Sequence, residues 1–123
     1  MKLKFMDKAA PIQVMWPVLI EVPADGGEVT KEKASVRFEI IAAAEAQKLL
    51  NPSTADIISD LVEGGESDAT VDFLKRVVVG WNEADFGGPF SADGLVNLAT
   101  YPFARNALVR AYGDAAQGRK AKN

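Results

Sequence analysis

The hydrophobic pattern of this chain changes period once, near Ile41, and that change limits the possible folds more than any other feature. Before it, apolar side chains recur at every second residue. In IQVMWPVLIEV, residues 12–22, the alternate positions Ile12, Val14, Trp16, Val18, Ile20 and Val22 are all apolar, as in a strand with one buried face. Val36, Phe38 and Ile40 repeat the pattern. Between the two runs, PADGGE (residues 23–28) is dense in turn formers, so the strands read as a β-hairpin. Pro17 cannot donate to a ladder, which makes the first strand an edge strand or one broken near its middle. A lone hairpin is marginal in water, so its apolar face needs a cover.

The cover follows directly. AAAEAQKLL, residues 42–50, consists of strong helix formers and ends at Asn51-Pro52. Ser53 or Thr54 is placed to cap a second helix striped by Ile57, Ile58, Leu61 and Val62 and stopped at Gly64-Gly65. A third helix is expected from Ser67 or Asp68, with Val71, Leu74, Val78 and Trp81 on one face and Phe73 and Val77 widening it. Gly87-Gly88-Pro89 breaks the chain, and Ser91 caps a short helix buried through Leu95 and Leu98. Thr100 is expected to cap the last helix, about 101–117, with Pro102 in its first turn. Ala104, Leu108, Ala111 and Ala115 form its stripe, flanked by Phe103, Ala107 and Tyr112, and Gly118 ends it. The expectation is an α+β single domain, an N-terminal antiparallel hairpin or small sheet packed against a helical bundle. Its hairpin region is 1–41, its helical region of four to five short helices is 42–117, and 118–123 is a flexible basic tail.

The residue inventory excludes much chemistry. The chain has no cysteine and no histidine. Disulfides, thiolate zinc sites, Ser-His-Asp triads and histidine metal ligands are therefore impossible. Asp56, Asp60 and Glu63 share a helix face but read as a solvated surface, since nothing clamps a cation from a second element. The glycine pairs Gly26-Gly27 and Gly87-Gly88 match no phosphate-binding fingerprint and read as turns. Ser91 and Thr100 lack a base partner, and capping accounts for both. No catalytic residue, cofactor or metal is expected. The formal charge of −3 disfavours nucleic-acid binding, despite Arg105, Arg110, Arg119, Lys120 and Lys122 near the C-terminus. No apolar run suits a membrane span, MKLKFMDKAAPIQV does not read as a signal peptide, and the lack of cysteine fits a reducing cytosol.

One specific feature remains, the aromatic group Trp81, Phe86, Phe90, Tyr101, Phe103 and Tyr112. Aromatic rings anchor cores when covered and interfaces when exposed. Trp81, Phe90 and Phe103 read as core, while Phe86, in its glycine loop, is open to either role.

This stretch resembles a known family. Trp81, the acidic loop Asn82-Glu83-Ala84-Asp85, Gly88, Pro89-Phe90-Ser91, Leu95, Leu98, Pro102, Arg105, Ala107-Leu108, Ala111-Tyr112, Gly118 and Asn123 form a pattern similar to the C-terminal half of tail assembly chaperones of long-tailed bacteriophages. The likeness is strongest over residues 75–123 and extends to a strand like VRFEII followed by an Ala/Glu-rich helix. Phe86-Gly87-Gly88 departs from the longer acidic turn of that pattern. The resemblance implies a non-enzymatic assembly factor of the host cytoplasm. It would bind the tape measure protein, keep it soluble, help recruit tail tube protein, and leave before the virion is finished. It further implies a partner surface built from Phe86, Phe90, Tyr101, Phe103, Arg105 and Tyr112, and self-association, to which an edge strand is also open. The rival readings are a head-tail connector or minor tail component retained in the virion, a hydrolase using carboxylates alone, and an antitoxin-like regulator. The last lacks a basic DNA-reading helix.

Overall fold

A computed structural model describes residues 11–50 and 68–119. The expected second helix with its stripe, the Asp56/Asp60/Glu63 face and the basic tail beyond Arg119 lie outside these residues. The described elements run β1 (Ile12–Pro23), β2 (Val29–Ile40), α1 (Ala43–Leu50), α2 (Ala69–Val77), β3 (Val78–Trp81), α3 (Glu83–Phe86), α4 (Ala92–Ala99) and α5 (Pro102–Ala116). The architecture is α+β, as the change of period implies.

β1 and β2 pair antiparallel from Ile12↔Ile40 to Pro23↔Val29. The turn between them is closed by the Ala24 N–H donating to the Glu28 carbonyl at 2.9 Å. It needs positive φ at Gly26 and Gly27 (79° and 80°), which glycine adopts without steric cost. The even-numbered side chains face the helices: Val18, Ile20, Ala34, Val36 and Phe38 are buried. Phe73, Leu74 and Val77 of α2, Leu95 and Ala99 of α4, and Ala104, Leu108 and Tyr112 of α5 complete a single core. The sheet's apolar face thus finds its cover in a helical layer.

The structure corrects two expectations. Residues 42–117 are not wholly helical, because β3 adds a third strand to the free side of β2 through Val36↔Trp81, Arg37↔Gly80 and Phe38↔Val78. The stripe Val71, Leu74, Val78, Trp81 is therefore shared between a helix and a strand. Val78 and Val79 are β-branched, Gly80 follows, and the free edge of β2 pairs with the strand they begin. Val78 is still buried, so the position was read correctly and its backbone was not. Thr100, in turn, does not cap α5. Its hydroxyl donates back to the Val96 carbonyl at 3.1 Å, within α4. The N-cap position of α5 is Tyr101, which gives no side-chain cap.

Candidate functional site

Ring contacts sort the aromatic residues into three groups. In the first, the Trp81 indole stacks on Phe86 (centroids 4.3 Å, interplanar 14°) and meets Phe90 edge-on (5.0 Å, 81°). Its Nε1 donates to the Gly88 carbonyl at 3.0 Å. The loop around this ring holds itself in place. The Asn82 side chain accepts from the Ala84 and Asp85 amides, opening α3, and Gly87 (φ 75°) closes it in the left-handed region. The Asn82 amide donates to the Ser35 carbonyl at 3.0 Å, and the Ser35 amide donates to the Asp85 carboxylate at 2.9 Å. The Asp85 side chain thereby continues the ladder where β3 has turned away. Gly94 lies under the indole. A Cβ there would sit 3.0 Å from Ser91 Oγ and 3.1 Å from Trp81 Cη2.

The second group is Tyr101 and Phe103, stacked at 5.7 Å and 28°. Tyr101 is 56% exposed. Phe103 is half-buried and faces a small cleft with Leu19, Val29 and Arg110. The third group is Tyr112 with Phe38 and Phe73, both edge-on at 5.7 and 5.0 Å. Tyr112 is buried, and its phenolic oxygen accepts the Ile41 amide at 3.1 Å. Arg105 turns inward. Its Nε donates to the Ala99 carbonyl at the end of α4 (3.0 Å), and Nη2 donates to Asp68 Oδ2 (2.8 Å). Asp68 also caps α2 by accepting the Val71 amide through Oδ1 at 3.1 Å. Arg105 thus joins two helix termini at a carboxylate, the arrangement helix dipoles favour.

The six residues read from the sequence therefore do not form one surface through their ring contacts. Phe86, Phe90 and Phe103 are half-buried against the core, Tyr101 is exposed, Tyr112 belongs to the core, and Arg105 is engaged internally. Tyr112, however, also floors a feature the sequence reading missed. Between α1 and α5 runs a largely apolar groove of about 470 Å³, walled by Ile41, Ala46 and Leu50 on one side and Val109, Gly113 and Ala116 on the other. Leu50 is among the exposed large apolar residues. The available signal was the small residues Ala43, Ala46, Gly113 and Ala116, which keep two helices open where large side chains would fill the gap.

The α1 wall is fixed from below by an ion pair network. Arg76 of α2 donates to Glu39 at 2.7 Å and to Glu45 of α1 at 2.8 Å. The hydrogen bond from Arg76, aided by one from Gln13, holds the Glu39 carboxyl below its ordinary value. The same two carboxylates raise the Arg76 guanidinium, Glu39 first.

Among the described residues there is no cluster of acidic side chains able to hold a metal, and no helix long and apolar enough to cross a membrane. The arrangement offers apolar area beside the paired charges of Arg76, Glu39 and Glu45. Searches of curated proteins and of solved structures returned no match. A family model described as phage tail assembly chaperone matches residues 17–123, from the middle of β1 onward. With most of its length matched, the chain belongs to the phage tail assembly chaperone family.

Proposed function

We propose that this chain binds the phage tape measure protein and keeps it soluble until tail tube protein assembles around it, and that the α1–α5 groove takes the client. The observation that supports this reading is an open apolar groove on a member of a chaperone family. A helix laid in a groove docks through residues on one face, and small residues in the groove walls let it approach closely. The role is non-enzymatic, set in the host cytoplasm and absent from the finished virion. Recruitment of tail tube protein is a second task of the same factor. Tyr101, the most exposed of the aromatic set, is the candidate contact for it.

Co-expression with the cognate tape measure protein tests the groove. Ala43→Glu at the start of α1 and Ala116→Lys at the end of α5 both suit the local helix dipole, so each variant should fold. Each places a charge at the groove, and a penalty of about 1.4 kcal/mol corresponds to roughly tenfold weaker binding. Soluble tape measure protein should fall in proportion. Undiminished solubility with both variants moves the client elsewhere, and no solubility gain from the wild-type chain removes the chaperone reading itself. Mass spectrometry of purified virions should fail to find the chain, and its presence would favour a retained tail component.

A further inference from the structure

The sheet order β1-β2-β3 leaves the outer side of β1 without a strand partner among the described residues. Which residues point their backbone outward follows from two hydrogen bonds. In an antiparallel pair, a residue's N–H and C=O point to the same side, and successive residues alternate. Ser35 turns both groups toward β3, donating to Asp85 and accepting from Asn82. Its cross-strand partner is Pro17, so Pro17 faces away from β2, onto the open edge. The hairpin's end gives the same parity, since the Ala24 amide donates inward to Glu28. The outward positions of β1 are thus Gln13, Met15, Pro17, Leu19, Glu21 and Pro23.

Prolines occupy this parity three times, at 11, 17 and 23, six residues apart. None removes a donor from the β1–β2 ladder, and each removes one from the edge. The outward amides that remain come in two separated pairs, Gln13 with Met15 and Leu19 with Glu21. An added strand would meet at most two consecutive donors before a pyrrolidine ring displaced its carbonyl. The edge is otherwise apolar enough to pair: Met15 is 45% accessible, while Pro17 and Leu19 are half-buried beside Ala107 and Arg110 of α5.

We infer that Pro17 closes β1 to strand addition by a second copy of this chain, so any self-association uses another surface. Pro17→Val restores the missing donor and creates a continuous apolar edge. Sedimentation at matched concentrations should show its weight-average mass rising about twofold over wild type, as expected when two sheets join across a twofold axis. Adding Met15→Pro returns a proline to the outward parity and should restore the wild-type mass. In the wild-type protein, the Met15, Leu19 and Glu21 amides should exchange rapidly at every concentration, while those of Trp16, Val18 and Ile20 stay protected. A folded Pro17→Val chain with wild-type mass throughout overturns the inference. So does concentration-dependent protection of the outward amides in wild type, and this second measurement decides the matter if Pro17→Val does not fold.

Discussion

The Trp81 loop and the α1–α5 groove are opposite solutions to the placement of apolar surface. The loop is crowded with aromatic rings, yet its rings stack on one another and its polar groups are paired within the loop or with Ser35. The groove has few rings and many small residues, and its space is open. The richest aromatic stretch of the sequence thus packs largely against itself, while the open apolar groove, proposed above as the client's seat, is lined by residues that attract little notice. Aromatic density alone does not mark a binding site. What matters is whether the rings already have partners.

Three changes test that contrast, in order of effect. Trp81→Ala removes two ring contacts and a hydrogen bond from a half-buried site. It should cost about 3 kcal/mol, within the range for large-to-small replacements, read as a lowered urea midpoint. A loss below about 1 kcal/mol would make the loop a surface rather than a support. Next come two glycine replacements of opposite sign. Gly94→Ala forces a methyl against Ser91 and Trp81 and should destabilise by about 1–2 kcal/mol. Gly113→Ala, in α5, meets nothing within 4 Å and should stabilise by up to about 1 kcal/mol. It would also narrow the groove, so a more stable protein should hold its client less well. Thermal unfolding and the co-expression assay together read both halves.

The smallest effect is electrostatic. Glu39 has a folded-state pKa lowered from 4.5 by Arg76, so the unfolded chain takes up its proton more readily. The stabilisation is present above about pH 4.5 and is lost as pH falls through the lowered value. Exposure limits it to under about 1 kcal/mol. Protonating Glu39 removes one of the two carboxylates that hold Arg76, which also binds Glu45 of α1, so hydrogen exchange in α1 should accelerate over that window while Trp81 fluorescence, read in a Trp16→Phe background, stays constant. Simultaneous change at both places would mean that the groove wall and the loop unfold as one unit.

Much of the fold was legible because periodicity and burial are tied to the same side chains. The alternation of Val14 to Ile20 and of Val36 to Ile40 located the hairpin and its buried face. Capping by Ser91 and the stop at Gly87-Gly88 followed from local chemistry that tertiary contacts do not disturb. β3 was not legible, since Val77 to Val79 favour a strand only if an edge is at hand, and β2 lies some forty residues away in sequence. The inward turn of Arg105 was hidden for a similar reason, as Asp68 and the Ala99 carbonyl come together only in the folded chain. The groove needed the relative placement of α1 and α5, which no local pattern encodes. The proline spacing was visible in the sequence, but its meaning required the register of Ser35 opposite Pro17.

The contact of α5 with β1 brings the last described helix onto the first described strand. During synthesis the hairpin leaves the ribosome long before residues 102–116, so its oily side lacks the α5 part of its cover for most of translation. A chain that ends early within α5 would carry a nearly complete set of elements and still lack the piece that closes its core. The order of the elements thus makes closure of the core wait for α5: only a ribosome that has passed residue 116 releases a hairpin with its full cover.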